Sequence, residues 1–379
     1  MRGQYDVEPG ATTSKGRFTA KFLFPFAINV LATVQLVWCY LWLTRPYVNT
    51  ALYSQGLERM PFQGRCLMMP ILWWAHHSQA LRWIIQLFKL SRFWFPRTVQ
   101  PEVLVQAAVG VLCVAIAGYL TTKIYEASSR RGLLTPFVYP FVLATCAATY
   151  ILHTVQNFRF IYDLPSLAFF SVAMYLLYFR KHWILFAALF LVATVNRETT
   201  LLLLPLYAIN EAFDGFCLQW SRVVRSRTIA VIFPLAVAWV GWELLVHHTF
   251  LRNRSEFYPR FNWNIKSVLA PLAWPQLLSA CGYLLLCITV MRNKISDRRL
   301  RAWLWIVPIW LMFMFSYGIL IETRVFGELI PLVVCATCLI AEETIMLRLQ
   351  GVKASSGISV IGRPADWRLE QDIVTTKSA

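Results

Sequence analysis

The sequence predicts an all-α, polytopic integral membrane protein with about ten transmembrane helices, two of them short, and an amphipathic outer-surface helix after the first span. Three observations lead there. The 379-residue chain is 58% hydrophobic and only 15% charged, whereas a water-facing surface normally needs about 25% charged residues. Apolar runs long enough to cross the roughly 30 Å hydrocarbon layer recur along it, separated by short connections. The net charge of +17 would suggest nucleic acid in a soluble chain. Here, placing alternate connections in the cytoplasm puts 22 of the Lys and Arg residues there and 14 on the other side. Topology therefore accounts for the charge, and no nucleic-acid partner is expected.

The first run, Phe22 to Leu43, follows Lys15, Arg17 and Lys21, which sets the N-terminus in the cytoplasm. It is longer than a signal-peptide core, and no small-x-small cleavage site follows before Thr44-Arg45-Pro46, so it reads as a retained anchor. The further crossings expected are Glu102 to Thr122, Leu134 to Leu152, Leu164 to Phe179, Thr228 to Val246, Leu269 to Met291, Ala302 to Leu320 and Val325 to Ala341. Between Trp183 and Ile209 an apolar stretch is interrupted by Asn196-Arg197-Glu198. A single crossing there would put an Arg and a Glu near the bilayer centre and the connection bearing Arg222, Arg225 and Arg227 outside, both disfavoured. Two short helices, Trp183 to Val195 and Thr199 to Ile209, rising and returning, avoid both.

The chain thus divides into a cytoplasmic tail (1–21), a multi-span membrane domain (22–341) and a second cytoplasmic tail (342–379) that is polar and flexible. Both termini are cytoplasmic, and the setting is a cell inner (plasma) membrane. Arg130-Arg131, Arg180-Lys181 and the cluster from Arg292 to Arg301 read as topology signals. No internal repeat is visible. Most of the nine cysteines lie inside apolar runs as small packing residues, and Cys335-Ala336-Thr337-Cys338 lacks the strand and turn of a redox motif.

Candidate chemistry collects on the outer side. The first outer segment, Thr44 to Val99, carries Glu58-Arg59-Met60-Pro61-Phe62-Gln63-Gly64-Arg65. It continues into a stretch in which His76, Gln79, Arg82, Gln86 and Lys89 line one helical face, with Trp73, Trp74, Trp83 and Trp94 suited to the headgroup level. The next outer connection, His153 to Pro165, ends on Asp163 at the mouth of an apolar helix, where a cap to free backbone amides is expected. Asn196, Arg197 and Glu198 form either an internal ion pair or part of a substrate path. Glu322, Arg324 and Glu328 share neighbouring faces near the outer end of the last crossing. Glu243 with His247 and His248 has metal-like spacing without an evident third ligand, so no metal or other cofactor is expected. Asn253-Arg254-Ser255 matches a glycosylation sequon.

Taken together, Pro61-Phe62-Gln63-x-Arg65, Tyr162-Asp163-Leu164-Pro165-Ser166, Asn196-Arg197-Glu198-Thr199 and Glu322-x-Arg324-x-x-x-Glu328-x-x-Pro331 resemble a group of bacterial multi-span proteins. These in turn are similar to the GT-C superfamily of lipid-linked-sugar glycosyltransferases. The resemblance covers most of Phe22 to Ala341. It implies a GT-C-like fold and transfer of a sugar from a polyprenyl-phosphate donor to a glycan, lipid or protein acceptor on the non-cytoplasmic face. That superfamily places an essential Asp soon after the first span; Glu58 is the only acid in this loop. In that chemistry Asp163 or Glu58 takes the acceptor proton. Arg65, Arg197 and Arg324 meet the phosphate, and Gln63, Asn196, Glu198, Glu322 and Glu328 complete the binding surface. A polysaccharide polymerase or ligase using an undecaprenyl-diphosphate glycan is the alternative within the same chemistry. A lipid or glycan transporter is the alternative outside it.

Overall fold

The computed structural model describes residues 14–90, 100–152, 158–213, 217–219, 221, 226–256 and 258–355. The chain is a helical membrane protein. Five helices among the described residues are long and apolar enough to cross a bilayer: Phe24–Leu43, Pro101–Ser128, Arg227–Thr249, Arg298–Tyr317 and Thr323–Gln350. In chain order the helices are α1 (Ser14–Leu43), α2 (Thr50–Ser54), α3 (Met69–His77), α4 (Gln79–Leu90), α5 (Pro101–Ser128), α6 (Thr135–Tyr150), α7 (Asp163–Tyr178), α8 (Trp183–Asn196) and α9 (Leu203–Ala212). The remainder are α10 (Ser226–Thr249), α11 (Phe261–Leu269), α12 (Trp274–Leu278), α13 (Leu284–Val290), α14 (Arg298–Trp303), α15 (Ile306–Tyr317) and α16 (Ile330–Ser355).

The last helix is the centre of the bundle. Its span is apolar on every side, and 89% of its 18-residue apolar stretch is buried, as expected of a helix without a polar face. Cys335 sits against α5 with its Sγ 3.4 Å from the Thr121 carbonyl. At the opposite extreme, only 17% of the corresponding 18-residue stretch of α10 is buried, and Phe233, Val237 and Leu244 point outward. Phe24, Phe26 and Leu31 do the same on α1, while Val37, Tyr40 and Leu41 of that helix face the core. Large apolar faces of this kind are stable against lipid tails and unstable against water.

The interrupted stretch from Trp183 to Ile209 is two helices. Arg197 adopts an extended backbone (φ −165°, ψ 144°) after α8, a 3-10 turn covers Glu198–Leu202, and α9 follows. The rings of Phe186, near the start of α8, and Tyr207, near the end of α9, lie 5.0 Å apart, so the chain doubles back at Arg197.

Three expectations need correction. Leu269 to Met291 is not a continuous crossing: it divides into a 3-10 turn at Pro271–Ala273, α12 and α13. Pro271 and Pro275 each start a new short helix, having no N–H to continue the previous one. Cys281, Gly282 and Tyr283 then take successive left-handed conformations (φ 52°, 66° and 65°), which no right-handed helix accommodates. The run ending near Ala341 continues as helix to Ser355, so a terminal tail does not begin at 342. The surface stretch after the first span is α3 and α4 with a break at Ser78, not one helix. Trp94, His153, Arg222 and Arg225 lie outside the described residues, as do 1–13 and 356–379.

A short parallel ladder pairs Arg45–Pro46 with Phe158–Arg159, and Tyr47 N–H donates to the Arg159 carbonyl at 3.2 Å. It fixes the segment after α1 beside the segment before α7, and so positions Asp163. The 3-10 turn Thr323–Leu329 reaches the same place from the other direction. There Gly327 lies so close to Tyr150 that a Cβ would run into its ring and hydroxyl. Tyr150 in turn packs edge-on against Tyr40 at 5.7 Å. Gly327→Ala should therefore lower the unfolding midpoint in detergent, corresponding to about 1–3 kcal/mol of overpacking. Gly241→Ala, where a Cβ meets nothing within 4 Å, should leave it unchanged.

Candidate functional site

The site is built around one carboxylate. Asp163 is the first residue of α7, where helix-end amides favour a negative charge. Its side chain does not cap the helix: the cap position is Tyr162, which makes no side-chain cap bond. Instead Oδ2 accepts from the Tyr40 hydroxyl at 3.2 Å. Oδ1 receives Nη1 of Arg197 at 3.2 Å and Nη1 of Arg324 at 3.5 Å. The carboxylate is 0% exposed. The expected capping role therefore gives way to charge pairing, because a buried ion needs a counter-ion more than a helix end needs a cap.

From Asp163 the pairing spreads. Arg197 also donates to Glu328 Oε1 at 3.0 Å, an oxygen shared with the Thr199 hydroxyl at 2.8 Å. Arg324 is held by Glu322 through Nη2, and its guanidinium lies 3.8 Å from the centroid of the Phe160 ring. Asn196 closes the reversal by donating to the Tyr162 carbonyl at 3.2 Å and to Ser166 Oγ at 2.8 Å. Arg65 lies 4.0 Å from the centroid of the Tyr162 ring and grips Glu198 through Nε at 3.1 and 2.9 Å.

Above this cluster opens a cavity of about 430 Å³, within the usual range for a small-molecule site. Its floor is Arg197, Arg324 and Glu322, and its walls are Tyr47, Phe62, Phe160, Trp239, Tyr258, Phe313 and Tyr317. The charged lining is balanced: Arg65, Arg197, Arg260 and Arg324 face Glu198, Glu243, Glu256 and Glu322. Glu256 is bound by Arg59 Nη1 at 2.7 Å and receives the Tyr47 hydroxyl at 3.3 Å. Burial, and then the Glu256 charge, raise the Tyr47 phenol above its usual value, so it stays a donor. Among the described residues, two of these eight charged groups have no ion-pair partner. One is Glu243, half-buried on α10; the other is Arg260, which stacks on its neighbour Tyr258 at 3.7 Å.

Five of the ten residues singled out from the sequence therefore line the cavity: Arg65, Arg197, Glu198, Glu322 and Arg324. Asp163 and Glu328 lie beneath it, 0% and 1% exposed, where their charges reach the cavity only through Arg197 and Arg324. The other three support the surrounding loop. Glu58 accepts the Asn49 and Arg59 amides at 2.8 and 3.1 Å, and Gln63 Oε1 accepts the Glu58 amide at 2.9 Å. Asn196 ties the α8 end to α7, as above. Neither Glu58 nor Gln63 faces the cavity, because each carboxylate or amide satisfies a backbone group that would otherwise be buried unpaired.

Sequence reading passed over Arg260, Tyr47 and the aromatic walls. It sets Glu243 aside as the end of an interfacial helix, whereas Glu243 lines the cavity, with His247 and His248 exposed. The sequon asparagine, Asn253, spends its amide on the Gly56 and Glu58 carbonyls at 2.9 and 2.7 Å, which ties it into the fold. The signal that could have found Arg260 is Tyr258-Pro259-Arg260 itself, a cation beside an aromatic in a loop. No protein-family model matches the chain, and no curated protein or solved structure matches it.

Removing the central carboxylate should be costly. Asp163→Asn leaves two buried guanidinium groups short of a counter-charge and should destabilise the protein by about 3 kcal/mol. Glu256→Gln, at a partly exposed pair, should cost under about 1 kcal/mol. Reversible unfolding in detergent separates the two. A double variant, Asp163→Asn with Arg324→Gln, should cost less than the sum of its parts.

Proposed function

We propose that the protein is a GT-C-like membrane glycosyltransferase, taking a sugar from a polyprenyl-phosphate donor and transferring it to a glycan, lipid or protein acceptor on the non-cytoplasmic face. The observation that supports this is the pair of unpartnered charges facing one aromatic-walled cavity. Arg260 has an open guanidinium for the donor phosphate, and Glu243 has an open carboxylate for the acceptor hydroxyl. The remaining cavity charges already neutralise one another, so they orient a substrate without adding net charge. Tyrosine, phenylalanine and tryptophan rings offer apolar faces to a sugar. Trp239 and Phe313 belong to α10 and α15, helices whose outward residues Val237, Val240 and Met312 are exposed and apolar. An isoprenoid chain would lie against such a surface.

In this reading the acceptor oxygen attacks the anomeric carbon as the carbon–oxygen bond to the phosphate breaks. The polyprenyl phosphate leaves with the electron pair, toward Arg260 and Arg324. Glu243 takes the acceptor proton. Asp163, expected from the sequence as the base, acts here as a positioning residue: substrate in the cavity does not reach a fully buried carboxylate, but it holds the two floor arginines. Glu58 supports the loop. Preorganised donors of this kind are effective because no reorganisation accompanies the charge shift.

The same reading carries a ten-pass topology with both termini cytoplasmic, in an inner membrane. It draws on the reversal at Arg197 and on the distribution of basic residues between the two sides. Cysteines introduced at Ala127 and Ser221, both exposed, should react only from the cytoplasmic side, and one at the exposed Arg252 only from outside. If the Ser221 site reacts with an impermeant external reagent, the topology is wrong.

Purified protein incubated with radiolabelled polyprenyl-phosphate sugars and membrane extract should move label into a new product. Glu243→Gln should slow this by about 100- to 10,000-fold without lowering the unfolding midpoint. Arg324→Lys should impair donor use less than Arg324→Ala, since charge is kept while the planar fork is lost. Label that crosses the membrane without a new covalent product would favour the transporter. Unchanged transfer by Glu243→Gln would remove it as the base.

A further inference from the structure

A second cavity lies toward the other end of one span that also lines the first. The span Arg298–Tyr317 has Phe313, Met314 and Tyr317 in the aromatic cavity. Its first residues, Arg298, Arg301 and Trp305, line a separate cavity of about 670 Å³. At about 1.5 Å per helical residue this 20-residue span, with Arg298 at one end and Tyr317 at the other, is roughly 30 Å long, close to the thickness of a hydrocarbon layer. This cavity is therefore at the opposite membrane surface.

Its lining changes character along its depth. Arg292, Asn293 and Arg301 stand at the polar end with Arg298, and Leu304, Val307 and Pro308 continue along α15 as an apolar wall. Arg301 is fixed in place: its Nε donates to the Ile295 carbonyl at 3.2 Å, and Nη2 donates to the same oxygen. Arg292 is exposed at the end of α13, and Trp305 is exposed at the mouth, the level at which indole rings settle between headgroups and tails. No carboxylate lines the cavity among the described residues. From the sequence, the cluster from Arg292 to Arg301 reads as a topology signal. A topology signal needs only charge on the correct side; it does not need those charges gathered over an apolar slot.

We propose that this cavity binds one anionic phospholipid, its phosphate at Arg292 and Arg301 and an acyl chain along Leu304, Val307 and Pro308. The ligand class follows from the two ends together. A phosphate alone would use the arginines and leave the apolar wall unexplained, while a neutral lipid would use the wall and leave the arginines unexplained. Basic recesses between spans are suited to anionic headgroups. The inference does not rest on sugar transfer by the first cavity.

Native mass spectrometry of the detergent-solubilised full chain tests it with dioleoyl phosphatidylglycerol, dioleoyl phosphatidylcholine and glycerol 1-phosphate as probes. One phosphatidylglycerol should be retained, with phosphatidylcholine at least about 10-fold weaker and glycerol 1-phosphate unable to displace it. Arg292→Gln should weaken phosphatidylglycerol about 5-fold. Thr289→Glu, which places a negative charge at an exposed position on the cavity lining, should weaken it similarly. Lys294→Gln removes an exposed charge from the same turn but outside the lining and should change nothing. Unfolding midpoints report whether each variant is intact. Equal binding of the two lipids, displacement by glycerol 1-phosphate, or an equal loss with Lys294→Gln would each overturn the proposal.

Discussion

The ion pairs of Asp163 with Arg197 and Arg324 are the constraint on which the cavity end of the molecule depends. A carboxylate with no exposure is tolerable only beside counter-charges, since an isolated buried ion costs several kcal/mol. Its partners come from distant parts of the chain, one from the reversal between α8 and α9 and the other from the turn that opens the central helix. Satisfying Asp163 therefore requires three segments to meet at one point. The extended Arg197 backbone and the 3-10 path of Thr323–Leu329 are the local conformations that let them do so.

The same network determines what the cavity above it has to offer. Arg197 and Arg324 present parts of their guanidinium groups to the cavity while their charge is already balanced from below and beside, by Asp163, Glu328 and Glu322. They are rigid hydrogen-bond donors more than sources of net charge. Charge without an ion-pair partner among the described residues comes instead from Arg260 and Glu243, which stand on the surrounding wall. The two layers differ in kind: a buried network fixes geometry, and two groups without ion-pair partners leave charge open to the cavity. The carboxylate most conspicuous in the sequence, Asp163, is accordingly buried, while Glu243 faces the cavity.

Much of this was legible in the sequence, for identifiable reasons. Hydropathy finds long lipid-facing helices because their length is set by the bilayer. The charges of Arg197 and Glu198 inside an apolar stretch are enough to require the reversal, because neither is tolerated at the bilayer centre without partners. Placing Glu58, Arg65, Asp163, Arg197, Glu198, Glu322 and Arg324 at one end of the bundle predicts that they converge on one cavity; five line it, while Asp163 lies beneath it and Glu58 supports the loop. What hydropathy does not register is backbone conformation: Leu269 to Met291 is apolar enough to cross, but two prolines and three left-handed residues divide it. Nor does it register which polar group satisfies which. Glu58 looked like an available acid and is occupied by backbone amides, and Arg260 sat in a loop with no periodicity to draw attention to it.

On the proposed function, the cavity walled by Tyr47, Trp239 and Phe313 is a preorganised seat for a phosphate-bearing lipid. The most direct measurement is binding of a short-chain polyprenyl monophosphate, compared with the corresponding polyprenol, to the purified protein and to Arg260→Gln. The phosphate should bind at least about 10-fold more tightly than the alcohol, and Arg260→Gln should remove most of that difference. Equal binding of phosphate and alcohol, or a preference untouched by Arg260→Gln, would contradict it.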